Sequence, residues 1–361
     1  MRTLAIVLVL LVVNAALAQG NKVQFNESGT VFVNGQPFFP IGIWIYAPDD
    51  HVLKDVQSKR FNTVIGNGFG PEHWDKIFAH DMMVVPFSNE QTLAAKHHPA
   101  LLAWYLTDEP ENREKPEDVA AAYRKLKQDD PDHPVGLCHY LYEAFETYKN
   151  GCDFSMSDVY PVTANRDVPL RNVGIHMDQA RAVHHPNWPV WTYIQIFGGP
   201  DTDGGKWAVP EPEEVRCMTY IALVHRANAM LYFSYWAKEP RTWAGVGEVV
   251  GELNLLTPWL IADGTEQPAK SSNEQVQVRA KKVSTGWLIM AVNTDRSEVE
   301  AKLTVEGLGN TRLRMPFNHN REVRPTDGAF TEKFAPCEAK VFGIGRPPPP
   351  PRLNAPQKQN R

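Results

Sequence analysis

The feature that most constrains the fold is a series of eight short apolar runs, most of them followed by a stretch with helical spacing. The runs are continuously apolar rather than alternating, which is typical of parallel strands that are buried on both faces. They are Ile41–Ile45, Thr63–Ile65, Met82–Pro86, Leu101–Leu106, Val135–Leu137, Phe154–Val159, Val190–Ile196 and Met230–Tyr235. Eight strand–helix units in about 220 residues predict an α/β fold, the closed (β/α)8 or TIM barrel.

The segments on either side of the barrel predict smaller β elements. Residues 22–39 predict a β-hairpin that turns at Asn34-Gly35, because Asn-Gly readily supplies positive φ angles. From Gln275 onward, short β runs separated by turn residues predict a small antiparallel β-sandwich. We therefore expect a barrel domain over residues 19–265, a sandwich over residues 266–345 and a proline-rich, disordered tail over residues 346–361.

The first eighteen residues have the pattern of a signal peptide. Arg2 precedes an apolar core from Leu4 to Val13, and Ala16-Leu17-Ala18 fits cleavage after Ala18. The apolar core has about half of the roughly twenty residues that a membrane span needs. We expect a secreted or periplasmic protein with no membrane association after the signal peptide is removed.

Composition argues against several classes of partner. A formal net charge of -5 and the lack of a dense Lys/Arg block argue against a nucleic-acid partner. The four cysteines form no CxxC motif, so we expect no metal and no cofactor. Cys138 and Cys152 either form a disulfide or remain free thiols, and the sequence does not indicate the oligomeric state.

Polar and aromatic side chains follow the predicted strands, where TIM-barrel enzymes carry their catalytic groups. The candidate catalytic carboxylates are Asp108, Glu109 and Asp158. The candidate substrate-binding residues are Trp44, Tyr46, Asn67, Tyr140, Tyr160, Tyr193, Gln195 and Trp236. Cleavage of a glycosidic bond needs a carboxylic acid to protonate the leaving oxygen and usually a second carboxylate, and aromatic faces suit the apolar faces of sugar rings. The combination predicts a carbohydrate substrate.

Three stretches of the chain resemble clan A glycoside hydrolases, in particular their β-galactosidase-like branches. They are Thr30–Trp44, Ala103–Pro110 and Arg216–Trp236, and the resemblance covers the barrel, roughly residues 25–262. Members of that clan carry Asn-Glu-Pro or a variant at the end of strand four, where the Glu is the acid/base. The resemblance therefore implies a glycoside hydrolase with Glu109 as general acid and with Asp108 where Asn is common.

The seventh run departs from the clan pattern, because Gln195 stands where members carry their nucleophilic Glu. Gln cannot form the glycosyl ester of a retaining mechanism. An inverting enzyme could use Asp158 as base, with the two carboxyls about 6.5–9.5 Å apart. A substrate-assisted enzyme could use Asp108 to orient a 2-acetamido group. A catalytically inactive barrel that binds carbohydrate, and a displaced nucleophile at Glu143 or Glu239, are the remaining alternatives.

Overall fold

The structure is a computed structural model that describes residues 20–351 except residues 238, 320 and 344. Its strands are β1 Val23–Phe25, β2 Val31–Val33, β3 Gln36–Phe38, β4 Ile41–Trp44, β5 Thr63–Gly66, β6 Met83–Pro86, β7 Trp104–Asp108, β8 Val135–His139, β9 Phe154–Ser157, β10 Val190–Gln195, β11 Ala229–Phe233, β12 Gly264–Gln267, β13 Ala269–Ser271, β14 Val276–Val283, β15 Gly286–Asn293, β16 Val299–Val305, β17 Leu313–Met315, β18 Arg321–Val323, β19 Ala329–Phe334 and β20 Ala339–Phe342. Its α-helices are α1 Asp50–Ser58, α2 Trp74–Ala79, α3 Glu90–Ala94, α4 Pro116–Asp129, α5 Tyr142–Thr147, α6 Asn172–Val183, α7 Pro212–Val224 and α8 Pro240–Leu260.

The eight apolar runs form the eight parallel strands of one nearly closed barrel, as the sequence predicts. The strand order is β6-β5-β4-β11-β10-β9-β8-β7. Isolated parallel bridges, Val84 to Leu101 and Phe87 to Tyr105, connect the two ends of this sheet. The predicted (β/α)8 barrel is confirmed.

Two apolar layers hold the barrel. Inside it, large side chains such as Trp44, Tyr105 and Trp191 fill the space between the strands. Outside it, helix residues such as Leu53 and Met218 pack against the other face of the strands. Because both layers are buried, each strand reads as a continuous apolar run, and polar side chains are left mainly at the strand ends.

The N-terminal hairpin gains a third strand and packs against the barrel. β1, β2 and β3 form one antiparallel sheet, and Asn34 and Gly35 turn with φ of 51° and 78°. Val23 and Val31 belong to the same buried cluster as the barrel interior. The hairpin therefore contributes apolar side chains to the barrel core.

The C-terminal domain is the predicted sandwich. A four-stranded sheet (β12-β14-β15-β20) and a three-stranded sheet (β13-β16-β19) share an apolar core, and β17 pairs with β18. The strand Gly264–Gln267 pairs with β14. The sandwich thus begins at Gly264, and the expected boundary between residues 265 and 266 falls inside a strand.

Several sequence expectations concern the chain ends and the cysteines. The signal peptide of residues 1–18 and residues 352–361 of the expected tail lie outside the described residues. Among the residues that the structure describes, no helix has the length and apolar character of a membrane span. Cys138 and Cys152 are buried free thiols in this structure, as are the other two cysteines.

Candidate active site

Three carboxyl groups meet at the mouth of the barrel, where the strands end. Asp108 ends β7, Glu109 follows it, and Asp158 follows β9. These strands lie on either side of β8 in the sheet. The charge of Asp108 acts on both other carboxyls, which indicates that the three groups share one site.

The backbone at Glu109 turns sharply out of the strand. The register of β7 against β8 is irregular between Tyr105 and Asp108, and the Glu109 amide donates to Cys138 O at 3.2 Å. Glu109 has φ 44° and ψ 58°, a left-handed conformation that is uncommon outside glycine, and Pro110 then begins a 3-10 turn. This turn directs the Glu109 carboxyl into the mouth rather than along the strand.

Glu109 and Asp158, called the acid pair below, both line the cleft at the mouth, and each influences the pKa of the other. Burial raises the pKa of Asp158 well above its usual value, and the charges of Asp108 and Glu109 add to this effect. Burial, followed by the charges of Asp108 and Glu111, also raises the pKa of Glu109. Two neighbouring carboxylates repel each other when both are ionised, so protonation of either group relieves this repulsion.

The inverting alternative requires about 6.5–9.5 Å between acid and base, to admit a water molecule. Glu109 and Asp158 line the same cleft, and each influences the pKa of the other. Asp158 as the base of an inverting reaction stays a prediction.

Asp108 is held separately from the acid pair. The hydroxyl of Tyr105 donates to Asp108 Oδ1 at 2.6 Å. The Tyr105 ring is fixed in turn by stacking on Phe87, with ring centroids 4.3 Å apart. The Asp108 carboxylate is therefore fixed in place by a buried phenol.

Asn112, which the sequence reasoning missed, contacts Glu109 directly. Asn112 Nδ2 donates to Glu109 Oε2 at 3.0 Å, and the Tyr140 hydroxyl donates to Asn112 Oδ1 at 2.9 Å. This relay occupies Glu109 Oε2 as a hydrogen-bond acceptor. The signal available in the sequence was the position of Asn112 in the short turn that follows Pro110.

Glu111, also missed, anchors the loop that carries Tyr140. Its carboxylate accepts from the backbone amides of Tyr140 and Leu141 at 3.0 and 3.3 Å and pairs with His139 Nδ1 at 2.9 Å. Although burial opposes it, the hydrogen bond and charge of His139 lower the pKa of Glu111. Glu111 is thus an ionised, fixed support beneath the acid pair.

A cleft of about 500 Å³ opens above the acid pair. Its lining is largely aromatic and includes two predicted residues, Tyr140 and Tyr160. The sequence reasoning missed Tyr142, Phe197 and Trp207, which also line it. Phe197 and Trp207 belong to the long connection after β10, and no local sequence pattern places this connection over the site.

The rim of the mouth is unusually rich in exposed apolar side chains. Among the described residues, eight large hydrophobic side chains are exposed, and five of them follow barrel strands at the mouth. These five are Tyr46, Tyr140, Leu141, Tyr142 and Trp236. Trp236 is the most exposed, at 81%. Such clustering is typical of a ligand-binding surface rather than of scattered surface residues.

The other predicted binding residues divide into two groups. Trp44 and Tyr193 are buried in the barrel interior. Burial raises the pKa of Tyr193, and the nearby charges of Asp108 and Asp158 raise it further. Asn67 is exposed and is not among the residues that line the cleft. The structure therefore brings Trp44 and Tyr193 beneath the carboxyls and leaves Asn67 outside the cleft.

Gln195 is fully buried, and its amide is occupied by backbone groups. Its Oε1 accepts from Val162 N at 2.8 Å, and its Nε2 donates to Val162 O and Phe197 O at 3.0 and 3.2 Å. It is not among the cleft-lining residues. Gln195 therefore ties together the loops that build the cleft.

The two alternative carboxylates lie outside the cleft lining. Glu239 caps α8, where its Oε2 accepts from Thr242 N at 2.9 Å. Glu143 is exposed in the first turn of α5. Among the described residues, no group of three or more His, Cys, Asp or Glu side chains is arranged to hold a metal ion.

Comparison with known proteins supports the fold. No protein-family model matches the chain, and no curated protein sequence matches it. Solved structures do match along nearly the whole barrel and sandwich, at low sequence identity.

Three of these structures are glycoside hydrolases. The α-amylase from Geobacillus thermoleovorans, complexed with acarbose, matches with a TM-score of 0.58 and 10% identity, over 85% of this chain and 98% of the amylase. The family 27 β-L-arabinopyranosidase from Geobacillus stearothermophilus, in complex with arabinose, gives 0.56 and 8%, over 85% and 97%. A family 30 endoxylanase from Clostridium papyrosolvens gives 0.51 and 14%, over 90% and 98%. At these identities the likeness establishes the architecture, which this chain shares with carbohydrate-active enzymes of several families.

Proposed function

We propose that the protein is a secreted glycoside hydrolase in which Glu109 delivers the proton to the leaving glycosidic oxygen. The observation that carries the proposal is the position of Glu109 in the cleft beside Asp108 and Asp158, where burial and the neighbouring charges raise its pKa. A general acid needs that property near neutral pH.

The electrostatic surroundings support this role. Two cations near the cleft pair with other carboxylates, Arg113 with Glu114 and Lys206 with Asp203. In the described part of the chain, no Lys or Arg forms an ion pair with the acid pair. Nothing there neutralises the carboxyls, so the proton remains the species that relieves their repulsion.

The proton path follows from the depth of the two groups. Asp158 is buried, with 9% of its surface exposed, whereas Glu109 is half-buried and lines the cleft. In this scheme a proton held by Asp158 passes to the Glu109 carboxylate, and Glu109 then donates it to the leaving oxygen. Asp158 acts in this scheme as the proton reservoir.

Asp108 is our candidate for the second carboxylate. It is fixed by Tyr105 and lies next to the acid pair, where a negative charge would stabilise the oxocarbenium-like transition state or orient a 2-acetamido group. Because burial raises the pKa of Asp158 and so favours its uncharged form, we favour Asp108 over Asp158 for this role. In this proposal Asp108 either orients the 2-acetamido group of the substrate or stabilises the positive charge of the transition state, and Asp158 is not the base of an inverting reaction.

The substrate we propose is a carbohydrate of more than one sugar unit. Exposed aromatic faces on the rim, together with Tyr160 and Trp207 in the cleft, suit the apolar faces of successive sugar rings. The neighbouring structures with bound acarbose or arabinose are carbohydrate complexes on the same architecture.

The parent protein is first screened against a panel of aryl glycosides and polysaccharides to identify a substrate. Glu109→Gln is then compared with the parent protein on that substrate. Turnover with a poor leaving group should fall by about 10²–10⁴-fold, and activated aryl glycosides should lose less. Glu143→Gln is the matched control, because it changes an exposed carboxylate outside the cleft. Unchanged turnover in Glu109→Gln would remove Glu109 from the mechanism, and no turnover by the parent protein on any substrate it binds would favour a carbohydrate-binding barrel.

The anomeric configuration of the first product tests Asp108. Retention on an N-acetylhexosaminide, with tight binding of a thiazoline analogue, is the result expected if Asp108 orients the acetamido group. Inversion would instead favour Asp158 as the base that activates a water molecule.

A further inference from the structure

A second polar cavity lies at the opposite end of the barrel, between the barrel and the sandwich. Its volume is about 290 Å³. The charged groups that line it are Arg181, Arg226, Arg279, Lys281, Asp263 and Glu266. Arg181 lies near the end of α6 and Arg226 precedes β11, whereas Arg279 and Lys281 lie on β14 of the sandwich. The cavity is therefore far from the mouth and takes no part in the proposed chemistry.

The charges around this cavity do not balance. Four cations and two carboxylates line the cavity, and one of those carboxylates, Glu266, is already bound by Arg279 at 2.6 Å. Arg181 also lies 3.9 Å from Asp178, which is outside the lining, so one net positive charge remains. Arg226 and Lys281 form no ion pair with a carboxylate within the described residues. An excess of positive charge in a partly enclosed space is unfavourable unless an anion accompanies it.

Two of the cations are deeply buried. Arg181 and Lys281 are 6% and 7% exposed. Burial, followed by the charge of Arg226, lowers the pKa of Arg181 to about 9. Burial, followed by the charge of Arg279, lowers the pKa of Lys281 to about 8. The cations thus repel one another across the cavity.

Hydrogen bonds to backbone carbonyls account for some of these side chains but leave their charge in place. Lys281 donates to Trp259 O, Leu260 O and Ala262 O near the end of α8, and Arg181 donates to the carbonyls of residues 225 and 226 after α7. Arg226 donates Nη2 to Pro186 O. Arg226 Nε and Nη1 donate to no described residue, so these two donors are available to a ligand.

We propose that this cavity binds a small tetrahedral oxyanion, inorganic phosphate or sulfate, which joins the barrel to the sandwich. Arg226 Nε and Nη1 supply charge-assisted donors, and Arg181 contributes charge from the barrel side. Lys281 and Arg279 contribute charge from the sandwich side. The bound ion would stabilise the contact between the two domains without touching the cleft.

The experiment follows thermal unfolding of the full chain during titration with sodium phosphate, and separately sodium sulfate, at ionic strength held constant with sodium chloride. Binding to the folded state should raise Tm by about 2–4 °C at millimolar concentration, and Tm should then rise only with the logarithm of concentration. A rise that stays linear with concentration is the general effect of excluded salts and would overturn the proposal.

Two variants with opposite expected effects make the test specific. Arg226→Gln should weaken the apparent affinity for phosphate at least tenfold, whereas Arg171→Gln, which removes one charge from the far end of α6, should leave it unchanged. Asp263→Asn removes an exposed carboxylate from the cavity and should tighten phosphate binding. If Arg226→Gln lowers Tm but responds to phosphate like the parent chain, Arg226 is merely structural and the site is refuted. Should Arg226→Gln fail to fold, an unchanged phosphate response in Asp263→Asn refutes it equally.

Discussion

Buried carboxyls have different neighbours in two regions of the molecule, the barrel mouth and the seam. The seam is the contact between α7, α8 and the sandwich. In the seam, Glu214 is bound by both Arg166 and Arg296, and Glu252 is bound by Arg216. At the mouth, the acid pair has no such cation among the described residues.

The pKa values follow this difference. Although burial opposes it, the hydrogen bonds of Arg296 and Arg166 leave the pKa of Glu214 below its usual value. Burial raises the pKa of Glu109 and Asp158 instead. Paired carboxylates in the seam hold two domains together, whereas unpaired carboxyls at the mouth reduce stability and keep a proton available. This contrast suits the barrel mouth to proton transfer and the seam to stabilising the contact between the domains.

The largest expected effect concerns the seam. Glu214→Ala leaves Arg166 and Arg296 without their carboxylate and should lower the free energy of unfolding by about 3–5 kcal/mol. Urea denaturation measures this. Glu322→Ala removes the partner of Arg312 on the sandwich surface and should cost less than about 1 kcal/mol. Equal losses of unfolding free energy in the two variants would show that the ion pairs of Glu214 stabilise the protein no more than an exposed surface pair does.

The next effect concerns the mouth. Asp158→Asn removes the proton reservoir, so turnover should fall by about 10²-fold or more, while the free energy of unfolding at neutral pH should rise because a buried carboxyl is lost. Steady-state kinetics and urea denaturation on the same preparation give both numbers. A variant that loses activity and stability together would indicate that Asp158 has a structural role instead.

The pH dependence of stability separates the two regions. The pKa of Asp158 is raised on folding, so its contribution is full below the ordinary carboxyl pKa of about 4 and is lost as pH rises through the folded-state value. The pKa of Glu214 is lowered, so its contribution is present above about pH 4 and is lost as pH falls through the folded-state value. Compared with Asp158→Asn, the parent chain should lose stability with rising pH. Compared with Glu214→Gln, it should lose stability in acid.

The smallest effect concerns the relay onto Glu109. Asn112→Ala removes a donor that favours ionised Glu109, so the alkaline limb of the pH–rate profile should move to higher pH. The loss in kcat should be about two- to tenfold, the range for one neutral hydrogen bond. Tyr140→Phe keeps the ring and removes only the hydroxyl, and should produce a smaller shift in the same direction. An unmoved limb in Asn112→Ala would mean that the relay does not act on Glu109.

The sequence predicted those features that depend on local pattern. Continuous apolar runs predicted the eight barrel strands because burial on both faces requires them. Asp108 and Glu109 were found because the end of a barrel strand lies at the mouth whatever the loops do. The hairpin turn at Asn34 was found because its backbone conformation favours few residue types.

What the sequence could not predict depends on contacts between distant segments. Trp207 reaches the cleft because its loop pairs with Thr163, 44 positions earlier in the chain. A polar residue such as Gln195 reads the same whether it faces a ligand or the backbone, and only the bonds to Val162 decide between the two. The proximity of Glu109 and Asp158 likewise depends on the path of β7 and β9 in three dimensions, which no local pattern contains.

The left-handed backbone at Glu109 has an evolutionary consequence. This conformation costs a residue with a Cβ about 1–2 kcal/mol, so selection for stability alone would favour glycine or asparagine at this position. Selection for the carboxyl would favour glutamate instead. Among homologues of this chain, glutamate at this position would therefore mark those that kept the chemistry. Glycine or asparagine would mark those that kept only the fold.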